Sequence, residues 1–169
     1  TPVQRHHVYD LASITKVATS TLLTMMTMER GMLDLEAPLS SLLPKNEEAP
    51  LNPTLGSRTV RDLLAHRSGL PAWIPFYVDL MAHEDSIGGV LSTTTEEGWI
   101  QLCEGKCMHP MWRDSITRTI RAIEPKAPGQ YRYSDLGYYL LKDILESRWG
   151  RPLEQLADSL IHRPLGLQN

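Results

Sequence analysis

Tyr9-Asp10-Leu11-Ala12-Ser13-Ile14-Thr15-Lys16 opens the most readable part of the chain. Beyond Ser13, Ile14, Val17, Ala18, Leu22, Met25 and Met26 recur at helical spacing and Gly31 is a natural stop, which predicts a helix over about 13–30. Ser13 and Lys16 then share one face of its first turn, since three residues make nearly one helical turn. The partial positive charge of the first backbone N–H groups would favour a developing alkoxide at Ser13 and depress the pKa of Lys16. A lysine held neutral by burial can take the serine proton, the usual route to an activated nucleophile. Alone the motif has little weight. Roughly one Ser-x-x-Lys arises by chance in a chain of this length, and a capping serine with a surface lysine would look the same.

The chain around this segment has 169 residues, 17 basic and 20 acidic, for a formal net charge of −3. Hydrophobic residues make up 41%, enough for a real core, so disorder is excluded. The near-neutral balance argues against a nucleic-acid binder or an anionic-membrane binder, either of which would need a basic excess. The longest nearly apolar run, Leu22 to Met26, is far too short to span a bilayer. The opening Thr1-Pro2-Val3-Gln4 carries no visible export signal, and Pro164-Leu165-Gly166-Leu167 reads as chain leaving a helix. The expectation is a piece of a longer protein.

Further helices are predicted along the chain. Leu33 to Pro44 reads as a turn and one helical turn, and 45–58 as loop. A short helix follows Thr59 as N-cap, with Val60, Leu63 and Leu64 inward and Gly69 just past its end. Residues 76–83 suggest a short helix, and Gly88-Gly89, Thr93-Thr94-Thr95 and Gly98 an irregular excursion within about 72–110. A helix over 111–123 ends at Pro125. Gln130 to Tyr133 is a short extended piece, and Ser134 or Asp135 caps a helix to about Trp149, with Leu136, Leu140, Ile144 and Leu145 as its core stripe and Gly150 as its stop. The last helix, about 152–162, places Pro152 near its first turn. The chain reads as mostly α.

Three further strings accompany the first: Thr59-Val60-Arg61-Asp62-Leu63-Leu64-Ala65-His66-Arg67-Ser68-Gly69-Leu70-Pro71, Pro128-Gly129-Gln130-Tyr131-Arg132-Tyr133-Ser134-Asp135-Leu136-Gly137-Tyr138, and Arg163-Pro164-Leu165-Gly166-Leu167. In this order and at these separations the set resembles the serine β-lactamase-like hydrolases: class C β-lactamases, DD-peptidases of the penicillin-binding type and related carboxylesterases. The resemblance covers the chain except about 72–110. It implies the helical part of the β-lactamase/transpeptidase-like α/β fold, a partial domain over 1–169 with most of the sheet missing. It also implies that Ser13 is the acylated nucleophile, Lys16 its basic partner, and Tyr133 the tyrosine that relays protons to the leaving group and helps activate water. Whether the acylation base is Lys16 or a Lys16-polarised Tyr133 stays open. For His66 it implies packing and loop fixing.

Two departures qualify the resemblance. At position 135, where substrate binding is implied, the family's usual Asn is Asp. Asn offers an N–H₂ donor to a substrate carbonyl; an ionised Asp only accepts and favours the ammonium form of Lys16. That weighs against efficient β-lactam turnover and toward esterase or peptidase activity, or a helix-capping role for Asp135. The family's Lys-Thr-Gly or His-x-Gly strand, which supplies a second oxyanion-hole N–H, has no counterpart in the chain. Losing one such donor typically costs about 10²–10³ in rate.

The remaining candidates are weaker. Cys103, Cys107 and His109 are too few for a zinc site, and the cysteines read as two thiols in a loop or as a bridged pair. His6-His7 read as exposed or strand-edge residues with no third metal ligand nearby, and Glu96-Glu97 as a solvated pair. Trp73, Tyr77, Trp99 and Trp112 are read chiefly as buried aromatics, with a substrate cleft as the alternative.

The leading functional expectation is a serine hydrolase that works through an acyl-enzyme on a D-alanyl peptide, a β-lactam or a carboxylic ester. No metal or cofactor is called for, and its partners are a small-molecule or peptide substrate and other domains of a longer chain. The competing expectation is a non-catalytic binding or scaffold module derived from the same fold. A similarity to serine-hydrolase modules joined to bacterial glycosidases implies a cell-envelope setting, periplasmic or extracellular.

Overall fold

A computed structural model of the chain describes residues 2–4, 7–94 and 97–167. Its first helix starts at Ile14, runs through wide π-type turns over Lys16–Thr21 and becomes regular in α1, Leu22–Glu29. The face it buries turns away from the outer part of the predicted apolar stripe, although Leu22 and Met26 still pack on the core. Ile14, Val17 and Met25 are 57%, 60% and 59% exposed, whereas Ser20, Leu23, Thr24 and Thr27 are buried. Hydroxyls explain the inversion. Thr24 donates to the Ser20 carbonyl at 2.7 Å and Thr27 to the Leu23 carbonyl at 2.6 Å, while Thr27 also accepts from the Trp149 indole at 2.8 Å. An O–H satisfied within the helix enters a core with no orphaned polar group.

Two single turns follow, α2 (Leu39–Leu42) and α3 (Pro53–Gly56). The latter lies inside the stretch that reads as loop from its prolines and asparagines. Its signal was local: Pro53 sits at the first helical position, and the Asn52 side chain accepts from the Thr54 and Leu55 amides. In α4 (Val60–Leu64) Thr59 and Asp62 form a reciprocal capping box, and Val60 and Leu63 point inward as predicted. The helix ends at Leu64, well before Gly69, and His66, with φ of 54°, reverses the chain.

The excursion is more regular than its glycines suggest. α5 (Phe76–Ser86) leads into a three-stranded antiparallel sheet of β1 (Leu91–Ser92), β2 (Ile100–Cys103) and β3 (Lys106–Met108), ordered β1-β3-β2. Cys103 and Cys107 lie on neighbouring strands of this hairpin and form no disulfide: Cys107 is in register with Gln101, and Cys103 with Lys106. Leu80, Val90 and Met108 make a small core of their own.

α6 (Pro110–Ala122) is capped by His109, whose Nδ1 accepts from the Met111 amide. It carries the buried Arg121, which donates to the Ala49 carbonyl at 2.7 Å and the Pro44 carbonyl at 3.0 Å, tying loop 44–51 to the helical body. α7 (Leu136–Trp149) is the central helix. Leu136, Leu140, Leu141, Ile144 and Leu145 are all buried, and Gly150, in the left-handed region at φ 63°, ends it. α8 (Leu153–Ala157) and wide turns over Asp158–His162 pack beside it. α4 comes close to α7 at Gly137, where a β-carbon would stand 3.4 Å from Leu63 Cδ2. The regular structure of the described residues is thus mostly helical, and their one sheet belongs to the excursion.

Candidate active site

Three distant segments meet at the head of α7. Ala12, with φ of 44°, turns the chain so that Ser13 precedes the first helical turn with its side chain exposed. One turn later Lys16 Nζ donates to Ser13 Oγ at 3.1 Å. The same Nζ is 2.6 Å from Asp135 Oδ1, and it lies 5.4 Å from the ring centroid of Tyr133 and 5.6 Å from that of Tyr138. Ser13, Lys16, Tyr133 and Asp135, more than a hundred residues apart in part, are therefore brought together around one ammonium group.

The turn that presents Tyr133 and Asp135 is held by α4 and the loop after it. Ser134 Oγ donates to the Pro71 carbonyl at 2.7 Å and accepts from the Leu136 amide at 3.2 Å. The Asp135 amide donates to the Ala72 carbonyl at 2.8 Å, and the Arg132 amide to the His66 carbonyl at 2.8 Å. Ser134, not Asp135, thus supplies the side-chain cap of α7, so the Asp135 carboxylate is left for Lys16. Gly69 belongs to this clamp. Its amide plane backs onto Pro125 and Lys126, and a β-carbon there would meet the Lys126 carbonyl at 2.7 Å.

The electrostatics differ from what the helix start suggests. Burial pulls the Lys16 pKa down, but its interactions with Asp135 and the Tyr133 hydroxyl outweigh burial, and the value stands above the ordinary 10.5. Lys16 is a held ammonium. A carboxylate at 2.6 Å beats the partial charge of a helix terminus, because full charges interact more strongly than a terminus worth about half a charge. Hence the lysine donates to Ser13 in this arrangement instead of accepting its proton.

Two residues of this cluster carry more than sequence reasoning assigned them. Tyr138 walls the second side of Lys16; its signal was its place three residues beyond Asp135, one turn along the same helix. His66 packs its ring on Tyr133, with centroids 4.3 Å apart, and on Tyr138 at 5.5 Å. Other candidates lie elsewhere. His7 is exposed, and its neighbour His6 falls outside the described residues, as does Glu96. Trp73 and Tyr77 are exposed rather than buried, for they sit where the chain leaves the clamp for the excursion. Trp112 packs against His83, and Trp99 edge-on against His109. Tyr77 and Trp112 line an apolar cavity of about 370 Å³ between α5, the small sheet, α6 and α7.

A helical body with Ser-x-x-Lys at the head of one helix and a Tyr-Ser-Asp turn facing it defines the class. The chain belongs to the β-lactamase family, whose pattern (described as Beta-lactamase) matches residues 1–169. It is 29% identical over 161 residues to a putative D-alanyl-D-alanine carboxypeptidase of Escherichia coli K12, covering 94% of this chain and 32% of that protein. It is 28% identical over 165 residues to an N-acetylmuramyl-L-alanine amidase of Bacillus subtilis, covering 95% and 32%. Among solved structures it resembles a β-lactamase/D-alanine carboxypeptidase from Yersinia pestis in complex with citrate, with a TM-score of 0.60, 25% identity, and coverage of 91% of this chain and 37% of that one. The chain thus spans about a third of the length of the curated relatives it matches. Its homologues are hydrolases of the β-lactamase fold. No helix among the described residues is long and apolar enough to cross a membrane.

Proposed function

We propose that the chain is the nucleophile-bearing, helical part of a serine hydrolase domain that works through an acyl-enzyme on amide or ester substrates. The observation that carries this reading is the 3.1 Å contact between Lys16 Nζ and Ser13 Oγ, with the Tyr133 ring centroid 5.4 Å from the same ammonium. Ser13 Oγ bonds to the substrate carbonyl carbon, and its proton passes to the Tyr133 oxygen, which the Lys16 charge polarises. As it takes that proton, Tyr133 releases its own hydroxyl proton to the departing amine or alkoxide, whose bond to the carbonyl carbon breaks. Water, deprotonated through the same tyrosine, releases the acid and frees Ser13. Of the two candidate bases, the held ammonium favours Tyr133. An ionised Asp135 repels an acylamide carbonyl where an asparagine would donate, which weighs against an acylamide-bearing β-lactam and favours a carboxylic ester that lacks such a group. The names of the relatives support a peptide of the cell wall, and with it a periplasmic or extracellular setting.

A second reading, a binding or scaffold module without turnover, is favoured by one observation: the Lys16–Asp135 ion pair locks the lysine in its charged form. Covalent labelling separates the two. The hydrolase reading expects stoichiometric labelling by a fluorophosphonate or a fluorescent penicillin, lost in Ser13→Ala. No labelling, together with binding of a peptidoglycan stem peptide without cleavage, would establish the second reading instead.

A further inference from the structure

His66 occupies an unusual position. It is a non-glycine residue in the left-handed region, at φ 54°, a conformation that carries a cost and persists where the surroundings over-determine it. Four contacts do so. Its Nδ1 accepts from the Ser134 amide at 3.1 Å, between Tyr133 and Asp135 in sequence. Its carbonyl accepts from the Arg132 amide. Its ring packs on Tyr133 and on Tyr138, the two rings that flank the Lys16 ammonium. An Nδ1 that accepts carries no proton, so the imidazole is neutral with its hydrogen on Nε2.

We propose that neutral His66 is a positioning residue of the candidate site: its Nδ1 and ring face set Tyr133 and Asp135 at their stations around Lys16. Protonation of Nδ1 dismantles that arrangement. This rests on the acyl-enzyme reading for its effect on rate, but the hydrogen bond itself is testable without it. The groups facing the imidazole are Lys16 from the first helix and Tyr131, Tyr133, Asp135 and Tyr138 from the turn and α7. Arg67 follows it in the chain and Arg132 is bonded to its carbonyl through the backbone amide, while the Arg67 guanidinium donates to the Gly129 carbonyl at 2.7 Å. Burial above all, and then the Lys16 charge, hold the imidazole pKa below its ordinary 6.5, against the opposing pull of Asp135. A proton on Nδ1 would face the Ser134 N–H donor to donor and add a second cation beside Lys16.

The test uses three substitutions that part this role from simple bulk. In His66→Asn the carboxamide oxygen can stand where Nδ1 stands, and asparagine tolerates a positive φ. His66→Gln places its polar end at the Nε2 position, and His66→Gly relieves the backbone but removes the acceptor. Long-range ¹H–¹⁵N spectra of the wild-type protein at pH 7 are expected to show His66 with a bare Nδ1 and a protonated Nε2. The Ser134 amide resonance should shift in the Gly variant and hold in the Asn variant. Fluorophosphonate acylation of Ser13 should stay within a few-fold of wild type in His66→Asn and fall by about 100-fold in the Gln and Gly variants, the scale of a misplaced catalytic group. Wild-type acylation should decline as pH drops below 6.5, an acid limb absent from His66→Asn. A protonated Nδ1 at neutral pH, or folded Gln and Gly variants that acylate at the wild-type rate, would overturn the proposal. Should the wild-type protein not be acylated at all, the hydrolase reading fails, and the tautomer and the Ser134 amide shift decide the role of His66 alone.

Discussion

The clamp around Lys16 and the excursion at 72–110 are built on opposite principles. In the clamp, residues 13–16, 66–72 and 125–138 are knit by contacts across more than sixty positions of sequence: His66 to Ser134, Ser134 to Pro71, Lys16 to Asp135. Nearly every one is polar and specific. The excursion is held by local pairings. Its hairpin closes on itself, Glu84 accepts from the Val90 and Leu91 amides a few residues on, and its small core has three buried members. A region stitched by long-range polar contacts tolerates little change, since each partner left alone becomes an orphan. A locally closed region varies without disturbing the rest.

Substitutions sharpen that contrast, and the largest effect belongs at the centre of the clamp. Lys16→Met should lower the rate of Ser13 acylation by about 10²–10⁴-fold, the usual worth of a group that assists proton transfer, read by fluorophosphonate labelling over time. Retained labelling would show that Lys16 is only a structural ion-pair partner. Gly69→Ala, which needs φ of 83° and drives a β-carbon to 2.7 Å from the Lys126 carbonyl, should lose about 2–3 kcal/mol by urea unfolding.

Asp135→Asn gives a smaller, directional effect. With the carboxylate gone, burial is opposed by Tyr133 alone, and the Lys16 pKa should fall, moving the acylation optimum to lower pH. In the parent, the raised Lys16 pKa adds stability that is complete below pH 10.5 and is lost as pH rises through the folded value, so the Asn variant should lose less on alkaline titration. An unchanged pH profile would mean that Asp135 does not govern the lysine. Least of all, Gly105→Ala in the hairpin turn should cost only about 1 kcal/mol, because its φ of 69° is strained for alanine but nothing lies within 4 Å. If Gly105→Ala matched Gly69→Ala, the excursion would be as tightly constrained as the clamp, and the contrast drawn here would fail.

Much of the fold was legible because its signals are local. The Thr59 capping box, the Leu136–Leu140–Ile144 stripe and Gly150 each act within one or two turns, and each appears where the string of residues places it. The short strands of the excursion were not legible, since pieces of two to four residues carry no readable alternation. Nor was the whole buried face of the first helix, where satisfied hydroxyls went in and Ile14, Val17 and Met25 stayed out.

For the site, the residue types at 13, 16, 133 and 135 and their order were determined by the sequence, and the family follows from them. Only the tertiary structure decided the ion pair of Lys16 and the hydrogen bond at His66 Nδ1. Both depend on distances between segments remote in the chain, where a carboxylate at 2.6 Å overrides the helix terminus and one backbone N–H selects a tautomer.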